Sequence, residues 1–251
     1  MRRLEIIALE GFDEISRGAS IGELICQAYA RLGLSVLAGD ILVIAHKIVS
    51  KAEGRVLRLD EIVPSERALE LARALDKDPR MVEVILRETR NIIRMGGNTL
   101  IVETHHGFIC ANAGADLSNV GAGLVALLPQ DPNRSAARIR DDIRVLAGVS
   151  VGIIVSDSFG RPWRLGTTDV ALGVSGLNPL KDYRGDTDRY GYELRASVAA
   201  VADEIASAAE LVMGKKDGIP AVLVRGFPIE SEKGSGKDLL RPEAEDLFRK
   251  F

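Results

Sequence analysis

The chain has 251 residues, 46% of them hydrophobic, 27% charged and only 4% aromatic, enough for one large core or two small ones. Lys plus Arg number 33 against 36 Asp plus Glu, and the resulting net charge of −3 speaks against nucleic acid as a partner, because phosphate backbones are held by clustered cations. Few aromatic rings also argue against base-stacking platforms, while a small phosphorylated ligand, needing only a local patch, stays open.

In chain order, the N-terminal MRRLEIIALEG lacks an apolar signal segment and reads as a first strand. Ile21, Leu24, Ile25, Ala28 and Leu32 recur at helical spacing over 20–32, with Gly33 as the stop. Ile41–Ala45 is a short continuous apolar run after Gly39-Asp40, as in a buried strand. Helices are predicted over 65–75, after Pro64, and from Asp78-Pro79, where Asp suits the N-cap and Pro the first helical position. The runs 99–103 and 108–111 flank His105-His106-Gly107 as a hairpin. An Arg-rich amphipathic helix (134–146) precedes a buried strand (151–155). An Ala-rich helix is predicted over 190–213 and a last interior strand over 219–224, followed by a flexible loop (233–237) and a short C-terminal helix.

The mixture lacks regular βαβ alternation, so an α+β fold is expected, with neither a P-loop (GxxxxGK[ST]) nor a Rossmann GxGxxG. No long linker appears, which predicts a single domain over 1–251 whose two subdomains, if present, are interleaved. Cys26 and Cys110 lie far apart without CxxC spacing, as buried free thiols of a reducing compartment would. Asp203, Glu204 and Glu210 interrupt the most apolar long stretch, so no membrane span and a cytoplasmic protein are expected.

Chemistry gathers in four segments. Lys51 follows the 41–45 strand, as a point charge for a phosphate or as part of a solvated turn; His46 and Lys47 stand beside it. Asn112 to Asn119 crowds oxygen ligands around Asp116, as a hard-cation site or as an Asx-rich turn bonding its own backbone. The run from Ser156 to Arg164 carries Asp157 and Ser158 as candidate metal ligands and Arg161 and Arg164 as anion clamps; alternatively the arginines pair with acids and Trp163 anchors the core. Met213 to Pro220 is a Gly-Lys loop or an ordinary helix ending.

Read together, these segments resemble the coenzyme F420-0:γ-glutamyl ligase family. The resemblance is carried by Leu9-Glu-Gly11, IVSKAEGR (48–55), PSERA (64–68), NAGADLSNV (112–120), SDSFGRPWRLG (156–166), DVALGVSG (169–176), DRYGYEL (188–194), VADEIA (201–206) and IPAVLVRG (219–226). It spans nearly the whole chain and implies that family's fold of two interleaved subdomains. It further implies GTP-dependent addition of L-glutamate to coenzyme F420-0 by a homodimer, with two divalent ions (Mg2+ or Mn2+) and K+ as cofactors.

By position, the resemblance assigns nucleotide contacts to Phe12, Asp13, Glu14 and Ile15, to His46, Lys47, Lys51 and Asn119, and to the loop Met213, Gly214, Lys215, Lys216, Asp217, Gly218 and Ile219. Asp116, Asp157 and Ser158 become metal ligands, and Lys51, Asp116 and Asp157 the catalytic set. Three departures stand out: Asp13 stands where members often carry Pro, His46-Lys47 replaces a hydroxyl or amide pair common in the family, and Lys215 stands where some members have an acidic metal ligand. A protonated lysine cannot bind a cation, which leaves Asp217 or water to take that ligand's place.

The expected chemistry is activation of a carboxylate as an acyl phosphate, with the arginines holding anionic substrate groups and Trp163 packing on the flat deazaflavin. The alternatives are a metal-dependent phosphohydrolase using the same aspartates, and a GTP-binding protein without turnover.

Overall fold

The computed structural model describes residues 3–248. β1 (Glu5–Leu9) leads to α1 (Ile21–Arg31), whose N-cap Ser20 accepts the Glu23 N–H and whose inner face is Ile21, Ile25, Ala28 and Tyr29. β2 (Ile41–Ala45) passes without a loop into α2 (His46–Glu53), which Gly54 stops at φ 71°. There follow β3 (Val56–Arg58), α3 (Glu66–Leu75), α4 (Pro79–Arg87), β4 (Thr89–Gly96), β5 (Thr99–Thr104), β6 (Ile109–Ala111) and β7 (Leu124–Ala126). Both helices start as predicted, with Ser65 capping the Ala68 N–H and Asp78 the Arg80 N–H ahead of Pro79. α5 (Pro132–Ala147) precedes the long hairpin of β8 (Gly152–Arg161) and β9 (Arg164–Ser175). The short pair β10 (Lys181–Asp182) and β11 (Val198–Ala199), then α6 (Val201–Met213) and β12 (Ala221–Arg225), complete the order.

The main sheet runs β1–β12–β2–β8–β9; β2 and β8 are parallel and every other pairing is antiparallel. Its period of two separates two cores. Leu42, Ile44, Ile153, Val155 and Leu223 pack on one face with α1, α2 and α5, while Ile41, Val43, Ile154, Val222 and Val224 pack on the other with α6. Cover on both faces explains why these strands are continuous apolar runs. Residues 57–127 gather a third core around Leu75, Val82, Ile85, Leu100 and Val102, inserted between α2 and α5. The architecture is α+β. No helix among the described residues is long and apolar enough to cross a membrane. Cys26 and Cys110 are free, and burial pushes the Cys110 thiol up to about 12.

Several predicted elements need correction. The helix expected over 190–213 is α6 alone. Before it, the Asp188 carboxylate accepts the Tyr190 and Tyr192 N–H groups and Gly191 adopts φ 85°, a local turn that competes with the helix. The alanines become helical only where Ala202, Ala206 and Ala209 meet the sheet. The 151–155 strand runs on to Arg161, so Asp157 and Ser158 lie inside a hairpin, opposite Val170 and Asp169. β4, mostly exposed and without strict alternation, was not expected. Residues 236–239 and 243–245 form 3₁₀ turns in place of the C-terminal helix, and the loop before them is anchored where Asn133 Oδ1 accepts the Gly236 N–H at 2.7 Å.

Asp203, in the first turn of α6, accepts the Ala171 N–H at 2.9 Å and ties the helix to β9. Burial pushes its carboxyl above the ordinary 3.8. A carboxyl raised on folding contributes stability that is complete below its unfolded value and is lost as pH rises through the folded one. Asp203→Asn keeps the acceptor without the charge, so its denaturation midpoint should fall less than that of the wild type as pH rises above the ordinary carboxylate range. Equal falls in urea titrations would show that Asp203 ionises in the fold without penalty.

Candidate active site

Segments remote in sequence meet at one edge of the main sheet. Because β2 and β8 are parallel with Ala45 opposite Ser156, His46 and Lys47 leave the sheet beside Asp157 and Ser158. β12 is antiparallel to its neighbours; Leu9 faces Ala221, and the Ala45 N–H reaches the Pro220 carbonyl at 2.9 Å. The exit of β1 and the approach to β12 therefore arrive at the same edge. The loop from Asp116 to Gly121, reaching over from the insert, helps close a cavity of about 820 Å3 there, a volume suited to a small-molecule ligand. Sites beyond the carboxyl ends of parallel strands are the general pattern of open sheets.

Every residue assigned above to the nucleotide or to metal lines this cavity except Lys216 and Asp217. Arg161, Trp163 and Arg164 do not reach it. They sit at the tip of the β8–β9 hairpin, where Arg161 donates to the Leu165 carbonyl at 2.7 Å. Trp163 is 74% exposed, with its ring 4.8 Å from that of Phe248, so it is neither a core anchor nor a wall of the cavity. The arginine clamp and the Trp163 platform expected from the sequence are thus not assembled within the chain. Sequence reading missed Ser156 and Asp169, which line the cavity, and Glu210, which accepts the Asp169 N–H behind them; the DVALGVSG run held Asp169, but only the hairpin register shows it opposite Ser158.

The site's charges are paired. Lys47 Nζ lies 2.7 Å from Asp116 Oδ2 and donates to Ser118 Oγ, while Lys51 Nζ donates to Glu14 Oε1 at 2.6 Å. Asp116 also accepts the Ser118 N–H at 2.7 Å, so the Asx turn and the ligand-facing carboxylate are one feature. Burial pushes the Asp116 carboxyl up, but Lys47 and Ser118 more than offset this and hold it below the ordinary range. Lys215 bonds Glu210 and Ser158 and lies 3.6 Å from Asp169 Oδ1. Asn119, with a left-handed backbone (φ 58°), donates its side-chain amide to the Lys215 carbonyl at 3.2 Å and joins the two loops across the cavity.

Two further features bear on ligands. The first turn of α2 has no side-chain cap and lines the cavity, so its N–H groups and the positive end of the helix dipole are suited to an anion. His46 is buried; its Nδ1 meets Ser50 Oγ at 3.3 Å, whereas Nε2, 3.4 Å from Asp157 Oδ1, makes no aligned hydrogen bond. An orphaned imidazole nitrogen beside a carboxylate is a donor pair for a divalent ion. Among the described residues no three His, Cys, Asp or Glu side chains converge into a complete metal cage, so a bound ion would take the rest of its shell from water and ligand oxygens, as Mg2+ commonly does.

The sequence profile described as F420-0:Gamma-glutamyl ligase matches residues 11–226. A coenzyme F420:L-glutamate ligase of Methanocaldococcus jannaschii is 45% identical over 254 residues, covering 99% of this chain and 98% of the relative. The protein of the same name from Methanothermobacter thermautotrophicus is 47% identical, covering 98% and 99%. One from Archaeoglobus fulgidus is 41% identical, covering 99% and 97%.

Proposed function

The chain belongs to the F420-0:γ-glutamyl ligase family and is a ligase of F420 biosynthesis, and on that premise we propose that it joins L-glutamate to coenzyme F420-0 with GTP as the energy source, forming F420-1 and further γ-linked products where the tail still fits. The observation that carries this reading is the pairing of Lys47 with Asp116 and Lys51 with Glu14 around the uncapped start of α2. An anionic nucleotide entering there exchanges one set of anions for another, so the lysines keep their charge compensated throughout.

A carboxylate is a poor acylating agent. Transfer of the γ-phosphoryl group of GTP to the F420-0 carboxylate gives an acyl phosphate and GDP. The glutamate amine then attacks the acyl carbon, the C–O bond to phosphate breaks, and the amine loses a proton. In this reading Lys51 and Lys47 turn from Glu14 and Asp116 to phosphate oxygens and stabilise the charge that develops on them. Asn119 and the Met213–Ile219 loop enclose the nucleotide. Asp157 and His46 Nε2, joined by Asp116 once Lys47 leaves it, would hold one divalent ion, Mg2+ or Mn2+. Such an ion, when bound, neutralises phosphate oxygens. The residues present do not fit a second ion at Ser158, whose hydroxyl donates to Asp169 Oδ1 at 2.6 Å and accepts from Lys215. The homodimer belongs to the same reading; Leu165 at the hairpin tip, 97% exposed, is apolar surface that it would cover.

Mass spectrometry after incubation with F420-0, GTP, Mn2+ and L-glutamate should show F420-0 enlarged by glutamyl units, with one GDP and one phosphate per bond. GDP formation should require both F420-0 and glutamate. GDP released without them would indicate a phosphohydrolase, and bound but unchanged GTP a non-catalytic binding protein.

A further inference from the structure

The third lysine pair differs in kind from the other two. Lys215 Nζ touches oxygens of three groups at once: the Ser158 hydroxyl, a Glu210 carboxylate oxygen and, at 3.6 Å, Asp169 Oδ1. Both carboxylates are largely withdrawn from solvent, Asp169 at 5% and Glu210 at 16% exposure. The oxygens are braced from behind. Ser156 Oγ donates to Asp169 Oδ2 at 2.9 Å, and the Asp169 N–H donates to Glu210 Oε2 at 3.0 Å. The lysine is braced as well, since Asn119 holds its carbonyl and Gly214 before it adopts φ 60°, ψ −165°, a conformation open almost only to glycine.

Two carboxylates and a hydroxyl gathered beside Asp157 make a set of hard oxygen donors of the kind that binds divalent cations. Left alone, two adjacent buried carboxylates would force one to keep a proton. Here burial and, after it, the neighbouring Glu210 leave the Asp169 carboxyl above its ordinary range, although the two serines and Lys215 act against them. The ammonium has three N–H groups to direct at three oxygens, and at that position its charge repels any metal ion that would share them.

We propose that Lys215 is a tethered cation: its ammonium occupies an oxygen cage of Ser158, Asp169 and Glu210 that would otherwise bind a second divalent ion, so this chain uses one exchangeable metal ion where its family resemblance implies two. The proposal rests on the ligase reading only for the role of the first ion, and it is tested without turnover. Mn2+ alone is titrated into the full-length protein and free Mn2+ is read by electron paramagnetic resonance, for the wild type, Lys215→Gln and Lys215→Arg. Lys215→Gln should bind one more tight Mn2+ per chain than the wild type, and Lys215→Arg, which keeps a cation in the cage, should gain none. Equal counts in the wild type and Lys215→Gln overturn the proposal, as does a gain in Lys215→Arg. If Lys215→Gln does not fold by circular dichroism, the wild-type count decides: one tight ion supports the tethered cation, and two overturn it. A failure of the ligase reading shows separately, as absence of the glutamylated product.

Discussion

Asp157→Asn should lower the rate of glutamate addition by at least about 10²-fold, the scale on which single preorganised electrostatic groups act, while leaving the fold intact. Asn has the same shape and can still accept the Ser158 N–H that Asp157 Oδ1 accepts at 2.8 Å, so the β8–β9 hairpin keeps its register. What the variant loses is the negative charge facing His46 Nε2 at 3.4 Å, and with it the carboxylate of the donor pair. Under single-turnover conditions with F420-0, GTP and glutamate, phosphate release and product should fall together, with an unchanged circular dichroism spectrum and melting midpoint. Phosphate release at the wild-type rate would remove Asp157 from the reaction.

Asp40→Ala should destabilise the protein by about 3–5 kcal/mol, the usual loss when one partner of a buried ion pair is removed. Asp40 is 1% exposed, and both its oxygens meet Arg225, Oδ1 at 2.7 Å from Nε and Oδ2 at 2.7 Å from Nη2. The same carboxylate accepts the Tyr29 hydroxyl at 3.1 Å and the Leu37 N–H at 2.9 Å. Burial and the Asp40 charge both push the Tyr29 phenol upward, so it remains a donor over the whole working range of pH. Truncation leaves a guanidinium, a phenol and an amide short of a partner at the point where α1, the loop before β2 and the end of β12 join. Urea unfolding followed by circular dichroism measures the loss. A change under about 1 kcal/mol would put this network on the scale of surface ion pairs.

Much of the fold was legible in the residues. Continuous apolar runs marked β2 and the start of β8 because both sheet faces are covered, and Asp78-Pro79 marked a helix start because an N-cap oxygen satisfies a backbone N–H whatever the tertiary context. Errors fell where a local signal met a competing one. The alanines of 196–209 suggested a longer helix until the Asp188 turn claimed the preceding residues, and the apolar run of 151–155 stopped short of a strand that continues through polar residues to the hairpin tip. Each of the four segments bearing chemistry also had an ordinary structural reading, as a turn, a set of ion pairs or a helix ending, and it was the ordered resemblance that gave them a common function.

The sequence by itself determined which residues could bear charge or ligate, where most helices begin, which strands are interior, and the family. The tertiary structure decided which of these residues meet. Asp116 and Asp157 share one cavity because the insert lays its loop over the edge where β2 and β8 end in parallel, and Lys215 faces Ser158, Asp169 and Glu210 because β9 and α6 lie against each other. A helix or a cap is set by residues a few positions apart, whose spacing the chain displays directly. Apart from the β8–β9 hairpin, the order and register of the main sheet are set by contacts between segments more than a hundred residues apart, for which no local spacing provides a ruler.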